Sequence, residues 1–126
     1  MIFIDRSIPK SVAEALKLVR PGDVMWLEDA FPHDATDEAW LPVAGRERWI
    51  VVTRDKKVRS RPGQRELIRK HGVGCFILAQ KRPLTRWDYL KLLTATLDEM
   101  ERIDSKSTRP YLFLVGAAAS VRQIPL

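Results

Sequence analysis

The stretch IVVTRDKKVRSR, residues 50–61, joins a strand-forming run to a cluster of positive charge. Ile50 to Thr53 are all β-branched and therefore favour a strand. The residues that follow place a single acid, Asp55, among five cations: Arg54, Lys56, Lys57, Arg59 and Arg61. A salt bridge would need only one cation, so this arrangement predicts something other than a simple ion pair.

Length and composition fit one globular domain. The chain has 126 residues, of which 45% are apolar and 30% are charged, and this is enough to close a hydrophobic core without disulfides. We therefore expect a single domain over residues 1–126. No apolar run approaches the length of a membrane span, and the N-terminus lacks the basic and apolar regions of a signal peptide. The only cysteine, Cys75, cannot form an internal disulfide, which favours a cytoplasmic protein.

The positive charge of the chain is concentrated in one segment. The formal net charge is +6, and residues 54–70 contain eight Lys and Arg residues against Asp55 and Glu66, so this segment accounts for the whole excess. A localised basic patch is expected where a polyanion such as nucleic acid binds. A solvated helix face is the alternative explanation of the same charges.

Short apolar runs alternate with helical patterns along the chain. Strands are predicted at residues 2–4, 23–27, 49–53, 75–78 and 111–115. Helices are predicted at residues 9–20, about 36–45, 61–71 and about 85–103. Core-facing positions are predicted for three tryptophans: Trp26, Trp49 and Trp87. The alternation predicts an α/β fold, a three-layer α/β/α sandwich with a mainly parallel sheet in which strands one and three are adjacent, in the order 2-1-3-4.

Two carboxylates are predicted to meet at one edge of this sheet. Asp5 ends the first strand and Asp55 follows the third. Ligands of such sheets bind outside the carboxyl ends of the strands, where the strand order reverses. Two like charges in one crevice repel, so a stable site needs a proton or a cation between them. Mg²⁺ takes carboxylate and phosphate oxygens, so we predict that the acids hold a metal and that the surrounding cations hold a phosphate backbone.

Further acids are expected near the same edge. Asp37 and Glu38 lie in the first turn of the second predicted helix, where the helix dipole alone also favours acids. Glu28 and Asp29 follow the second strand, and a loop position outside the site is the simpler interpretation for both.

Three segments resemble the PIN-like nuclease superfamily. They are FIDRS at residues 3–7, TDEAW at residues 36–40 and VVTRDKKVR at residues 51–59, and the resemblance covers about residues 1–80. The strongest likeness is to short PIN-like toxins of VapC-type toxin–antitoxin pairs. The resemblance implies metal-dependent cleavage of RNA phosphodiester bonds, with Mg²⁺ or Mn²⁺ as the cofactor. It also implies an antitoxin partner that blocks the site, and frequent homodimers.

The resemblance also implies roles for individual residues. Asp5, Asp37 and Asp55 would be the metal ligands, and Glu38 would join them in the catalytic set, with Asp37 and Glu38 as alternatives for the helix acid. The basic rim adds predicted nucleic-acid contacts from Arg6, Arg54, Lys56, Lys57, Arg59 and Arg61. Two features depart from the family pattern. Arg6 follows Asp5 directly, and no clear fourth acid follows residues 54–61, the basic loop.

Two other functions fit part of the pattern. One is a PIN-like module that binds nucleic acid without cutting it. The other is a phosphate-accepting receiver domain, which shares the length, the alternation and an acid after strand three. A receiver also has paired acids after strand one and a lysine that ends strand five. Here Arg6 follows Asp5, and YLFLVG at residues 111–116 ends without a lysine.

Overall fold

A six-stranded sheet forms the centre of the computed structural model, which describes all residues from Met1 to Leu126. The strands are β1 (Ile2–Ile4), β2 (Val24–Trp26), β3 (Ile50–Thr53), β4 (Gly74–Leu78), β5 (Tyr111–Val115) and β6 (Val121–Ile124). Their order is β2-β1-β3-β4-β5-β6, with the first five parallel and β6 antiparallel to β5. The prediction of a mainly parallel α/β sheet with strands one and three adjacent is confirmed.

Helices cover both faces of the sheet. They are α1 (Lys10–Val19), α2 (Leu27–Ala30), α3 (Asp37–Arg46), α4 (Lys57–Ser60), α5 (Pro62–His71) and α6 (Arg86–Lys106). Successive strand side chains point to opposite faces, so Ile2 and Ile4 pack with α1 and α6 while Phe3 packs with α3 and α5. None of the helices combines the length and the apolar composition that crossing a membrane requires.

Local sequence signals fix the ends of the helices near the site. Pro62 is the first residue of α5, and Gly72 ends that helix in the left-handed conformation with φ 64°. At the start of α6, the Asp88 N–H donates to Thr85 Oγ1 at 3.0 Å and the Thr85 N–H donates to Asp88 Oδ2 at 2.9 Å. These reciprocal bonds form a capping box, which explains why a helix begins there.

Four short elements were not predicted: helices α2 and α4, a 3-10 helix at Ala117–Ala119, and strand β6. Helices α2 and α4 have four residues each, which is too short to show a helical period in the sequence. Strand β6 lies at the edge of the sheet, and all of its residues are partly or fully exposed. An edge strand of this kind lacks the continuous apolar run that marks the buried strands.

The prediction that Trp87 faces the core is wrong, since its side chain is 65% exposed. The buried stripe of α6 runs through Tyr89, Leu93, Leu97 and Met100. Trp87 precedes Tyr89 by two positions, and two positions correspond to about 200° around an α-helix, so it lies on the opposite side from the sheet. Partial burial is observed for the other two tryptophans, Trp26 and Trp49.

Candidate functional site

Asp5 is a buried carboxylate at the point where the strand order reverses. It follows β1, and its backbone N–H donates to the Val52 carbonyl of β3 at 3.0 Å. Its Oδ2 atom accepts hydrogen bonds from Thr53 Oγ1 at 2.8 Å, from Ser7 Oγ at 2.7 Å and from the Ser7 N–H at 3.3 Å. All three bonds reach the same oxygen, so Oδ1 remains available for a ligand.

Two hydroxyl groups connect Asp5 to the turn that carries Asp55. Thr53 Oγ1 accepts a hydrogen bond from the Asp55 N–H at 3.0 Å, and Ser7 Oγ accepts one from the Arg54 N–H at 2.9 Å. Each hydroxyl donates to Asp5 and accepts from the turn, so together they fix the position of one acid relative to the other. Sequence reasoning missed this role of Ser7 and Thr53, because 46 positions separate them in the chain.

Asp55 lies two residues before helix α4 and also lines the site. Its Oδ1 atom accepts a hydrogen bond from the Lys57 N–H at 2.9 Å, at the start of that helix. A short polar side chain in this position satisfies a free N–H of the first turn. The Asp55 carboxylate is half-buried. Its hydrogen bond to the Lys57 N–H fixes its position relative to the start of α4.

Asp37 lies in the first turn of α3 and shares a crevice with both other aspartates. Trp40 Nε1 donates a hydrogen bond to its Oδ1 atom at 3.1 Å. Burial raises the pKa of Asp37, hydrogen bonds from Gln64 and Trp40 oppose that rise, and the negative charges of Asp5 and Asp55 add to it. Charge repulsion among the three carboxyl groups is therefore part of the metal-free site.

This raised pKa has a consequence for stability. A carboxyl group whose pKa is higher in the folded than in the unfolded protein lowers the free energy of unfolding at neutral pH. The cost is complete above the folded-state pKa and disappears as the pH falls below the unfolded-state value. A bound cation would offset the same loss of stability at neutral pH, where Asp37 is ionised.

The three aspartates line one cleft of about 410 Å³ at the carboxyl edge of the sheet. The other charged or amide side chains of this acid cleft are Arg6, Asp34, Glu38, Lys57, Arg61 and Gln64. A narrow inner crevice continues from the same aspartates between apolar side chains, among them Trp40, Leu41 and Ile68. Asp37 lines both spaces, whereas the exposed Glu38 lines only the outer cleft. Neither Asp34 nor Gln64 was predicted to line the site, because Asp34 lies in a loop without a periodic signal and nothing in the sequence of the first turn of α5 marks Gln64 as facing the cleft.

The cations of the basic loop have two different environments. Lys56, Lys57, Arg59 and Arg61 are exposed, and none of them forms a salt bridge. Arg54 instead donates to the Tyr89 hydroxyl at 2.9 Å and to the Gln80 carbonyl at 3.2 Å, and it also bonds to the Arg82 carbonyl.

The contacts of Arg54 anchor the start of the basic loop to the segment after β4. Its guanidinium also lies 5.6 Å from the centre of the Tyr89 ring. Arg6, the cation after Asp5, donates to the Ala35 carbonyl at 2.6 Å and thus holds the loop before α3 beside the cleft. Three N–H groups of Arg54 are bonded within the protein, so contacts to a phosphate backbone are expected from the exposed cations instead.

The donor chemistry of the cleft fits a hard divalent cation. No group of three or more His, Cys, Asp or Glu side chains lies close enough together to form a complete protein coordination site. Mg²⁺ does not require one, because it is usually held by one or two carboxylates together with water and substrate phosphate. The Oδ1 atom of Asp5 and the carboxylates of Asp37 and Asp55 all line the cleft and would supply the one or two carboxylate ligands, with water and substrate phosphate as the others.

A doubly wound sheet with acids at the reversal of strand order and exposed cations on the rim is consistent with an α/β fold of the nuclease type. A family model described as "PIN like domain" matches residues 1–80, and the chain belongs to this family, whose members are generally nucleases. No curated protein and no solved structure is significantly similar to the chain. The resemblance in the sequence is confirmed at the level of the PIN-like superfamily. The matched residues include every residue of the acid cleft.

Proposed function

We propose that the protein is a metal-dependent endoribonuclease that cleaves RNA phosphodiester bonds. The observation that supports this most strongly is the acid cleft itself. Aspartates from three separate parts of the chain line one space beside exposed cations that have no acidic partner. Acids without a metal would repel a phosphate, and cations alone would bind it without activating water. Their combination suits phosphodiester hydrolysis.

The three aspartates and the two hydroxyl residues bonded to Asp5 have defined tasks in this proposal. Asp5, Asp37 and Asp55 would supply the carboxylate ligands of Mg²⁺ or Mn²⁺, and Ser7 and Thr53 orient Asp5 through hydrogen bonds to its Oδ2 atom. The metal, when bound, lowers the pKa of the attacking water and neutralises charge on the phosphoryl oxygens.

The remaining polar groups accept the proton of the attacking water or bind the phosphate backbone of the RNA. Glu38, at the mouth of the cleft, accepts the proton that the attacking water loses. Lys57 and Arg61 bind the phosphates on either side of the bond that is cut. The apolar side chains of the inner crevice limit access of bulk water to the aspartates.

The test of this function is cleavage of a labelled single-stranded RNA by the purified protein. We expect cleavage with Mg²⁺ or Mn²⁺, no cleavage with EDTA, and recovery when excess metal is returned. Cleavage that continues in EDTA would exclude the metal-dependent reaction. Absence of cleavage with either metal, from a protein that still binds the RNA, would favour the second candidate below.

We propose further that the nuclease is the toxin of a type II toxin–antitoxin pair. The resemblance of the three sequence segments to VapC-type toxins supports this, and so does an open cleft that carries both signs of charge. A flexible antitoxin segment could block it either with an arginine that pairs with the aspartates or with acids that pair with Lys57 and Arg61.

Expression of the protein alone is therefore expected to stop bacterial growth, and co-expression of the cognate antitoxin is expected to restore it. Growth is measured beside a strain that expresses the Asp5→Asn variant at the same level. Normal growth with the folded parent protein would contradict the toxin role, while RNA cleavage in vitro would leave the nuclease proposal intact.

The second candidate is a PIN-like module that binds nucleic acid without cutting it. The observation in its favour is that no three acidic, histidine or cysteine side chains are grouped for metal binding. The absence of a clear fourth acid after the basic loop also fits this candidate. RNA binding that EDTA does not change, with no cleavage in Mg²⁺ or Mn²⁺, distinguishes it from the nuclease.

A further inference from the structure

Helix α4 separates the acid cleft from a second groove. Lys57 and Arg61 line the acid cleft, whereas Lys56 and Arg59 line the groove on the other side of the helix. Val58 lines the inner crevice beneath the helix. The positions i and i+3 of one helical turn share a face, which explains why Lys56 and Arg59 lie together. The basic loop thus presents cations to two different spaces.

The second groove is basic and contains no acid. Its volume is about 490 Å³, and it is lined by Lys56, Arg59, Ser60, Ile77, Leu78, Ala79 and Lys81. The carboxyl end of β4 and the residue that follows it, Ala79, form its apolar part, and Lys81 lies just beyond. The three cations are exposed, and none of them forms a salt bridge.

The two spaces therefore have opposite formal charge. Five acids and three cations line the acid cleft, which gives it a formal charge of −2. Three cations and no acid line the second groove, which gives it a formal charge of +3. The acid cleft suits a cation or a phosphate accompanied by one, whereas the second groove suits phosphate directly.

We propose that the second groove is a phosphate-backbone site for the part of a single-stranded nucleic acid that flanks the bond cut in the acid cleft. The strand crosses α4, because the adjacent residues Lys56 and Lys57 line different spaces. This proposal rests on the proposed function in taking nucleic acid as the ligand. Lysine and arginine contacts to phosphate carry no base information, so binding in this groove is independent of sequence.

The experiment measures RNA affinity in EDTA as a function of salt concentration. The groove variant carries Lys56→Gln, Arg59→Gln and Lys81→Gln. A matched control carries Arg46→Gln, Lys106→Gln and Arg122→Gln, which remove the same number of charges from exposed positions outside both spaces and outside residues 54–70. Each single-strand phosphate contact contributes about 0.7 to the slope of log affinity against log salt, so the groove variant is expected to lose about 2 from that slope.

The control variant is expected to keep the slope of the parent protein, and a long oligonucleotide is expected to lose more affinity in the groove variant than a short one. A groove-variant slope equal to that of the control would overturn the proposal. Changed affinity for polyglutamate without a change for RNA would also overturn it, because the site would then bind acidic peptide.

The outcome is independent of catalysis, since no metal is present in the measurement. A parent protein that never cuts RNA but shows the slope difference would support the groove and contradict the nuclease. A parent protein that cuts RNA, with no difference in slope between the groove and control variants, would support the nuclease and contradict the groove.

Discussion

Replacement of Asp5 or Asp55 by asparagine is expected to reduce RNA cleavage by about 10²–10³-fold or more, the loss typical when a preorganised charge-stabilising group is removed. Asparagine keeps the size of the side chain and one oxygen acceptor but cannot supply the negative charge that a divalent cation requires. Cleavage is measured at saturating Mg²⁺ with both variants beside the parent. Asp98→Asn is the matched control, because the Asp98 side chain is fully exposed on α6, outside the cleft.

The two variants are expected to differ in stability. Asp5 accepts three hydrogen bonds within the protein, and an amide replaces one of its oxygens with a donor. Asp55→Asn keeps an acceptor for the Lys57 N–H and removes one of the charges that raise the pKa of Asp37. In the metal-free protein we therefore expect Asp55→Asn to be at least as stable as the parent, and Asp5→Asn to be less stable than Asp55→Asn. Thermal unfolding with and without Mg²⁺ provides the measurement.

If both asparagine variants cut RNA as fast as the parent, the acid cleft is not the site of cleavage. Loss of cleavage in a variant that has also lost its circular dichroism spectrum would report only unfolding. The comparison with Asp98→Asn removes the effect of the net charge, since every variant loses one negative charge.

Gly45→Ala is expected to destabilise the protein by about 3 kcal/mol, at the upper end of the usual range for overpacking. A Cβ atom on Gly45 would lie 2.0 Å from the backbone oxygen of His71, at the end of α5. Backbone cannot move aside as a flexible side chain can, so α3 and α5 would have to separate. For a domain of this size a loss of that magnitude corresponds to a decrease in Tm of about 10 °C.

Gly63→Ala is the matched control for this substitution. Gly63 also lies in α5, but a Cβ atom there would meet no atom within 4 Å. Replacing an unstrained helical glycine by alanine stabilises by about 0.5–1 kcal/mol. Equal Tm values for the two variants would show that α3 and α5 are not in close backbone contact. Helix α3 carries Asp37 and α5 carries Gln64, so their separation would also widen the acid cleft.

Local sequence signals determined much of the fold. The start of α5 follows from Pro62, its end follows from Gly72, and the start of α6 follows from the Thr85 cap. Each of these signals acts through atoms within a few residues of the position it sets. The parallel sheet follows from the alternation of apolar runs and helices, and it alone placed Asp5 and Asp55 at one edge.

The sequence by itself could not show that neighbouring cations of the basic loop have different contacts. Arg54 and Lys56 are equivalent as residues in a charged stretch, yet Arg54 bonds to Tyr89 while Lys56 lines a groove with Lys81. The same limit applies to Asp34, which joins the cleft from a loop. These contacts join residues that are about 25 to 35 positions apart, so they depend on how strands and helices are arranged in space. The sequence therefore determined that Asp5, Asp37 and Asp55 lie at one edge of the sheet, whereas only the tertiary structure decided which cations, and which further acid, lie beside them.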